Sequence, residues 1–364
     1  LRGYRNPVVL QMKQFDSSFQ QQTIRSETSL LPFARKSNLA FCANSTPSLA
    51  PDQVYVNMRR STRSLNFVFF ISGAILLWLV FGPKEDVLKP GLEELGKLCS
   101  KTTDDCYIVK QNVDQQMNIY RFVQSEKHSQ NGYFTISTLA MKPGYYGSVV
   151  PVRENVQFHY IKAMIIAPYM TEALVMNQPG KLLSIGLGAA TLDMFFYTKQ
   201  PQLDITVVEL DETMVVLAAR WFDTVEDSRR RTIVADGVEF VEQAVREGTI
   251  YDVIALDACN SADAMFRCPA KPFYEFETMQ NIYYALKVDG ILVLNALSDD
   301  LSMIRITLKS HFPSCFIVNL PTSNEMIACL KHDRVPNNLQ EKFEFFAKKL
   351  GLRGDVGSYK FSVL

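Results

Sequence analysis

The sequence predicts an α/β protein built on a Rossmann-like, doubly wound and mostly parallel sheet. Apolar strand-like runs alternate with helical segments from residue 182 to residue 296, and this alternation is typical of a parallel sheet covered on both faces. Glycine or acidic residues follow each of the first four runs. Two later apolar runs, CFIVNL and EMIACL, flank a four-residue turn and predict a terminal antiparallel hairpin.

Composition excludes several classes of function. Apolar residues make up 47% and charged residues 21% of the 364 positions, which is ordinary for a globular protein. Lys plus Arg and Asp plus Glu both total 38, so no basic field indicates a nucleic-acid partner. The seven cysteines include no CxxC pair, and neither a metal site nor a full disulfide framework is predicted. Cys99 and Cys106 could pair in an oxidising compartment, but we expect two reduced thiols.

The first 82 residues differ in composition from the rest. Residues 1–64 carry nine Lys or Arg against three acids and predict a disordered basic tail, of which residues 1–57 are of doubtful status in the mature chain. Residues 65–82 contain no charge and predict a single-pass transmembrane anchor, with a buried core helix as the alternative. The basic tail favours a cytoplasmic N-terminus, yet lysines beyond the apolar run nearly balance the arginines before it. The side of the membrane on which the main domain lies is therefore left open.

Between this segment and the main domain the chain changes character twice. Residues 83–104 are predicted to form a linker with a short helix near residues 92–98. Residues 105–154 contain short β-rich runs separated by Asn-Gly and Pro-Gly turns, which predict a small antiparallel β-sheet. A helix within residues 155–178 then leads into the Rossmann-like domain, which covers residues 155–333. Residues 334–364 are predicted to form a charged helix and tail.

Residues 181–211 have the pattern of a nucleotide-binding βαβ unit. Gly186 and Gly188 follow the first strand, where glycine allows a tight turn and close approach of a ligand to the backbone. Glu209 ends the second strand and is placed to accept hydrogen bonds from a ribose. The pattern predicts an adenosine-type cofactor at the carboxyl ends of the strands.

Two further strand ends extend this set of residues. Asp236 and Gly237 follow the third strand, and Asp257 follows the fourth. Asp236 can accept a hydrogen bond from an adenine amino group, and Asp257 borders the position of a transferred group. Each acid taken alone is equally well explained as a helix cap or turn residue. Their common position at strand ends favours a ligand site.

The ordered motifs resemble the spermidine-synthase-like class I S-adenosylmethionine-dependent methyltransferases, over about residues 105–333. The matching segments are HYIKAM, SIGLGAATL, VELDETMVVLAARWF, VADGVEF, YDVIALD, Cys268-Pro269, GILVLNAL and EMIACL. The resemblance implies S-adenosylmethionine as the cofactor, bound by the residues at the four strand ends, without a metal. It also implies methyl transfer to a protein or small-molecule amine, and it leaves a homodimer open.

Asp257 is the candidate catalytic residue for this transfer. The activated methyl donor needs a well-positioned acceptor, and a base only where an amine arrives protonated. We predict that Asp257 orients an amine beside the methyl group, with cofactor binding alone as the alternative role. Tyr160 and Lys162 are weaker candidates for the acceptor pocket, since helix packing or surface exposure explains them equally well. Phe273 and Tyr274 are at least as well explained as core residues.

Polyamine synthases share the expected fold and are the main alternative. Their aminopropyl transfer needs an acid that holds and deprotonates the amine. In that family acids lie in the glycine loop and after the fourth strand, whereas this chain has Ala189 and Asn260 at the corresponding positions. Asp263 is a nearby acid that could substitute. A third interpretation is a catalytically silent relative that acts as a binding module.

Overall fold

The computed structural model describes residues 88–127, 134–145, 148–260, 268–298, 300–352, 354 and 356–364. The predicted basic tail and the predicted transmembrane anchor at residues 65–82 lie outside these ranges. Within the described part of the chain, no helix combines the length and the apolar character that a membrane crossing requires.

A five-stranded antiparallel sheet precedes the main domain. Its strands follow one another across the sheet in chain order: β1 (Gly91–Cys99), β2 (Cys106–Val113), β3 (Ile119–Ser125), β4 (Phe134–Pro143) and β5 (Val149–Val156). The sheet begins earlier than predicted, because residues 91–99 are a strand and not a short helix within a linker. Leucines three residues apart suggested a helical face, but a bulge between Glu94 and Gly96 accommodates this spacing in a strand paired with β2.

Three disulfides cross-link the described residues, Cys99–Cys106, Cys259–Cys268 and Cys315–Cys329. The expectation of reduced thiols at Cys99 and Cys106 is therefore wrong. These two residues lie directly opposite each other on β1 and β2. Such pairing depends on strand register, which spacing along the sequence does not reveal.

The main domain is centred on an eight-stranded sheet. Its strands are β6 (Gly180–Ile185), β7 (Leu203–Glu209), β8 (Arg230–Val234), β9 (Tyr251–Leu256), β10 (Leu286–Ala296), β11 (Ser314–Asn319), β12 (Glu325–Leu330) and β13 (Lys360–Val363). Their order across the sheet is β13-β11-β12-β10-β9-β6-β7-β8. The strands from β10 to β8 in this order pair in parallel, while β11, β12 and β13 pair antiparallel. The predicted parallel sheet and its terminal hairpin are confirmed.

Helices cover both faces of this sheet. They are α1 (His159–Met170), α2 (Thr191–Lys199), α3 (Glu212–Phe222), α4 (Gly237–Arg246), α5 (Phe276–Ala285), α6 (Ser302–His311) and α7 (Leu339–Leu350), with a short 3₁₀ helix at Lys271–Tyr274. One apolar core contains α1, α2 and α7, and a second contains α4, α5 and α6. Neighbouring residues of one strand supply both, since Leu182 belongs to the first core and Leu183 to the second. A buried strand of a parallel sheet is apolar on both faces for this reason.

The C-terminal segment contributes more than the predicted helix and tail. After α7, the chain returns to the main sheet as β13 and pairs with β11 at the edge. Tyr359, which precedes β13, is 1% exposed and its hydroxyl lies 2.6 Å from Nδ1 of His159 on α1. This contact ties the end of the described chain to the first helix of the main domain.

Candidate active site

The strand order predicts a ligand-binding cleft at the carboxyl ends of β6 and β9. From β6 the chain proceeds through β7 to β8 on one side, and β9 then lies on the other side of β6. The connections therefore diverge between β6 and β9, and open α/β sheets bind ligands at such a point. Gly186 follows β6 and Asp257 follows β9, so the sequence motifs lie at this cleft.

Gly186 and Gly188 shape the loop between β6 and α2. Gly186 has φ +96°, and a Cβ atom there would lie 2.5 Å from the carbonyl oxygen of Asp257. Only glycine fits this position, because both the backbone conformation and the neighbouring strand exclude a side chain. Gly188 has φ +52°, and a Cβ atom there would meet only Ser137, at 3.8 Å. The loop is thus fixed by close packing at its first glycine and open at its second.

Glu209 connects the glycine loop to the end of β7. Its carboxylate accepts hydrogen bonds from the backbone N–H of Leu187 at 2.8 Å and of Asp211 at 3.0 Å. Burial raises the pKa of Glu209, and hydrogen bonds from the backbone of Asp211, Leu187 and Leu210 oppose that rise. A carboxylate offers about four acceptor positions, so about one remains for another donor. Glu209 lies beside the glycine loop as predicted, and the ribose contact stays a prediction.

The third strand end combines a helix cap with a close packing contact. Asp236 is exposed and accepts a hydrogen bond from the backbone N–H of Val238 at 2.7 Å, as an N-cap of α4. The cap interpretation of this acid is therefore correct. Gly237 is buried, and a Cβ atom there would lie 2.6 Å from Ile185 and 3.2 Å from Phe273. Phe273 itself is a core residue, as expected.

A buried hydroxyl group marks the N-terminus of α2. Thr191 opens this helix directly after the glycine loop and is 3% exposed. Its Oγ1 atom has no hydrogen-bond partner among the described residues. Buried polar groups are normally hydrogen-bonded, and a helix N-terminus favours an anionic group. The loop therefore fits a ligand that carries a carboxylate, as S-adenosylmethionine does. We call Gly186, Gly188, Thr191, Glu209 and Gly237 the cofactor rim.

Asp257 belongs to a cluster of polar side chains on the opposite side of the cleft. Its Oδ1 atom accepts a hydrogen bond from Nδ2 of Asn295 at 2.8 Å, and its carboxylate accepts another from the hydroxyl of Tyr160. Burial raises the pKa of Asp257 to about 7, with a further upward contribution from the charge of Glu209. Near neutral pH this carboxyl group can therefore both accept and donate a proton. We call Tyr160, Asp257 and Asn295 the carboxylate cluster.

Sequence reasoning missed Asn295, although it lies in the matching segment GILVLNAL. The side chain is 2% exposed, and its Oδ1 accepts a hydrogen bond from Nδ2 of Asn324 at 2.8 Å. A single amide inside an apolar strand was the available signal, because a buried polar group needs a partner. The contact between Asn324 and Asn295 fixes which end of the amide faces Asp257.

Tyr160 and Lys162, the weaker candidates for the acceptor pocket, have different surroundings in the structure. Tyr160 contacts Asp257, and burial raises its pKa well above the usual tyrosine value, with Asp257 adding to the rise. Lys162 is 6% exposed, and its Nζ atom lies against Gly354, beyond α7. Residues two positions apart face different sides of a helix, so α1 directs only Tyr160 toward the cleft.

Two positions that are acidic in polyamine synthases are occupied by Ala189 and Asn260 in this chain. Ala189 is completely buried and packs with the small sheet, and Asn260 follows the Cys259 end of the second disulfide. Asp263 lies outside the described residues. Near these positions the described residues offer Asp257 and Glu209 as half-buried carboxylates.

Comparisons with known proteins agree with the resemblance expected from the motifs. Residues 158–327 match the spermine/spermidine synthase domain family. The human eEF1A lysine and N-terminal methyltransferase is 29% identical over 181 residues, which cover 47% of this chain and 26% of that protein. The chain thus spans about a quarter of the length of the curated relatives of this kind that it matches.

Two solved structures are similar to this chain. The structure of human Methyltransferase-like protein 13 in complex with SAH is 26% identical, with a TM-score of 0.48, and covers 56% of this chain and 97% of that one. A probable spermidine synthase from Corynebacterium glutamicum is 17% identical, with a TM-score of 0.54, and covers 76% of this chain and 91% of that one. At this identity the second likeness concerns the fold alone.

Proposed function

We propose that this protein, whose residues 158–327 match the spermine/spermidine synthase domain family, is an S-adenosylmethionine-dependent methyltransferase that acts on an amine. The observation that carries the proposal is the convergence of the cofactor rim and the carboxylate cluster on one cleft, where the pKa of Asp257 is about 7. The relatives that match with 28–29% identity are named as methyltransferases, which supports the same activity.

The cofactor rim supplies the groups that the donor needs. The remaining acceptor capacity of Glu209 suits ribose hydroxyls, and the exposed Asp236 at the next strand end can accept a hydrogen bond from an adenine amino group. The unpartnered hydroxyl of Thr191 and the N-terminus of α2 suit the carboxylate of the methionine part. When bound, S-adenosylmethionine supplies an activated methyl group on a sulfonium, so the protein does not have to activate the methyl carbon.

The carboxylate cluster supplies the acid–base function that an amine acceptor requires. An ammonium group has no lone pair, so a proton must leave before nitrogen can attack the methyl carbon. Asp257 accepts this proton at its carboxylate, and the hydrogen bonds from Tyr160 and Asn295 hold that carboxylate in one orientation. A base with a pKa near the working pH combines a large ionised fraction with sufficient basicity.

A protein amine is the acceptor class that we propose. The name of the human relative states that it methylates lysine and the N-terminus of eEF1A, and both groups are primary amines. Incubation of the full chain with methyl-labelled S-adenosylmethionine and fractionated cell proteins would identify the acceptor. Acid-stable label on a lysine or an N-terminal amine supports the proposal, and label confined to carboxylates or small molecules contradicts it.

Aminopropyl transfer is the second candidate, since the fold also resembles that of a probable spermidine synthase. Ala189 and Asn260 at the positions expected to be acidic argue against it, because an amide cannot take a proton from the amine. Calorimetry with S-adenosylmethionine, its decarboxylated form and S-adenosylhomocysteine would discriminate the candidates. Preference for the decarboxylated form would favour aminopropyl transfer. Binding of none of the three would favour a silent relative.

We also propose that residues 65–82 anchor the chain in a membrane and that the described part folds on an oxidising side. The uncharged apolar run supports the anchor. The three disulfides support the oxidising compartment, because reducing compartments keep most thiols free. Protease digestion of sealed microsomes containing the full chain tests this sidedness. Protection that detergent abolishes is expected, and digestion without detergent would contradict it.

A further inference from the structure

One disulfide lies directly beside the carboxylate cluster. Cys259 is bonded to Cys268. The Sγ atom of Cys259 lies 3.9 Å from Oδ1 of Asp257 and 4.0 Å from Nδ2 of Asn295. The sulfur therefore contacts both partners of the hydrogen bond that orients the proposed base.

The same disulfide joins the end of β9 to a segment that is hydrogen-bonded to the end of β10. Cys259 lies two residues beyond Asp257, at the end of β9. Cys268 forms an isolated β-bridge with Leu297, in which the N–H of Cys268 donates to Leu297 at 2.9 Å and the N–H of Leu297 donates to Cys268 at 2.8 Å. Leu297 lies two residues beyond Asn295, at the end of β10. The disulfide thus joins the end of β9 covalently to Cys268, which is in turn hydrogen-bonded to the end of β10, the strand that carries Asn295.

We propose that the Cys259–Cys268 disulfide is a redox-sensitive positioning element that holds Asp257 and Asn295 together at the cleft. The proposal rests on the proposed function, because it assigns the disulfide to the orientation of the base in that reaction. Cys259 and Cys268 are positioning residues, since they act through Asp257.

A dithiol reductant would release this link. The dithiol loses two electrons and two protons and forms its own disulfide, while Cys259 and Cys268 gain them and become two thiols. After reduction, the segments stay connected by the main-chain bridge between Cys268 and Leu297 and by the hydrogen bond from the N–H of Ala270 to Ala258, but the sulfur of Cys259 is no longer held against Asp257 and Asn295. The turn that follows Asp257 can then move away from the Asp257–Asn295 pair while β9 and β10 stay paired, and more water reaches the Asp257 carboxylate.

Access of water changes the charge state of the base. The groups that face Asp257 are the hydroxyl of Tyr160 on α1, the carboxylate of Glu209 on β7, the amide of Asn295 on β10 and the sulfur of Cys259. Burial is the largest cause of the raised pKa of Asp257, so hydration lowers that pKa. The lower pKa leaves more of the carboxylate ionised near pH 7, but loss of orientation and screening by water weaken its contact with a positively charged ligand atom, and well above the pKa only this weakening remains.

The chain contains a matched control for the loss of a disulfide. Cys99–Cys106 closes a loop with a sequence separation of 7, compared with 9 for Cys259–Cys268. Loops of similar length make similar entropic contributions to stability. Cys99 and Cys106 lie on the hairpin between β1 and β2, which carries no residue of the carboxylate cluster.

The test compares the full-length wild type, C259A/C268A and C99A/C106A by calorimetry with S-adenosylmethionine and S-adenosylhomocysteine between pH 5.5 and 8.5. The two ligands differ in the sulfonium charge, so their affinity ratio reports the ionisation and position of Asp257. In C259A/C268A we expect the preference for S-adenosylmethionine to fall about tenfold, equivalent to about 1.4 kcal/mol. We also expect the midpoint of its pH dependence to move below that of the wild type. C99A/C106A is expected to retain the wild-type ratio and midpoint.

Dithiothreitol supplies a second measurement on the same proteins. It should lower the preference for S-adenosylmethionine in the wild type and in C99A/C106A, and should have no effect on C259A/C268A. Equal behaviour of the two double variants would overturn the positioning role, as would alkylation of Cys259 and Cys268 in the native, unreduced wild type. If the wild type binds neither ligand, the proposed function fails, and the inference that rests on it fails as well.

Discussion

The cofactor rim and the carboxylate cluster face the same cleft, but they are built in different ways. The rim depends on the backbone, because Gly186 and Gly237 are required by close contacts and Glu209 binds two backbone N–H groups. The carboxylate cluster depends on side chains from α1, β9 and β10 that meet only in the folded protein.

Because of this difference, substitutions in the cofactor rim and in the carboxylate cluster are expected to change different properties of the protein. A backbone-built rim tolerates little change in shape, so substitutions there affect folding and cofactor binding together. A side-chain cluster can lose one group while its neighbours keep their positions. Variants of the cluster are therefore expected to change rate and pH dependence, with smaller effects on stability.

The largest expected effect comes from Asp257→Asn. The amide preserves the shape of the side chain but cannot accept the proton of an ammonium group. Methyl transfer to an amine is expected to fall about 10²–10⁴-fold, the range that general-base catalysis contributes. Transfer of labelled methyl groups, measured beside S-adenosylhomocysteine affinity, tests this. A variant that binds the product normally and transfers at the wild-type rate would limit Asp257 to cofactor binding.

Gly186→Ala is expected to destabilise the fold at the cofactor rim. The added Cβ would lie 2.5 Å from the backbone of Asp257, at a residue with φ +96°. Strain and overpacking together are expected to lower the free energy of unfolding by about 2–5 kcal/mol, measured by urea denaturation.

Gly248→Ala is the control for backbone strain alone. Gly248 has φ +69° and open space around its Cβ position, so the expected loss is about 1–2 kcal/mol. Equal losses in the two variants would mean that the contact with Asp257 does not restrict Gly186.

The same contrast explains how much the sequence could predict. Glycines and acids at strand ends follow from local patterns, because the carboxyl ends of parallel strands meet at one edge of a sheet. The parallel sheet, its terminal hairpin and the position of Gly186 and Glu209 beside one another were accessible in this way. The carboxylate cluster was not, since the contact of Asn295 with Asp257 depends on the register of β9 against β10.

Strand register also accounts for the errors. The leucine spacing in residues 91–99 suits a helix until pairing with β2 and a bulge are known. The disulfides are a second case, because Cys315 and Cys329 lie opposite each other on β11 and β12 but 14 residues apart in the chain. Sequence spacing does not specify which residues of two strands are opposite.

Glu209→Ala tests the rim through its predicted contact with ribose. Removal of a buried acceptor is expected to weaken S-adenosylmethionine binding by about 1–3 kcal/mol in calorimetry. Glu212→Ala removes the same charge from an exposed position three residues further along and should leave the affinity unchanged. Unchanged affinity in a folded Glu209→Ala variant would rule out the role assigned to this acid.

Tyr160→Phe should have the smallest effect and should report on the cluster alone. The hydroxyl of Tyr160 donates a hydrogen bond to the ionised form of Asp257, which lowers the pKa of that carboxyl group against the larger effect of burial. Loss of the hydroxyl therefore raises the pKa of Asp257. The base must be ionised to act, so the rising limb of the rate against pH should move to higher pH by about one pH unit, the equivalent of one hydrogen bond to a charged group.

Tyr169→Phe provides the matched control on the same helix. Tyr169 is 1% exposed, and its hydroxyl has no hydrogen-bond partner among the described residues. Both substitutions remove one hydroxyl from α1, but only that of Tyr160 touches Asp257. We expect Tyr169→Phe to keep the wild-type pH profile, measured as the rate of methyl transfer between pH 5.5 and 9. If the two variants have the same profile, the hydroxyl of Tyr160 does not tune the base, and the carboxylate cluster reduces to Asp257 and Asn295.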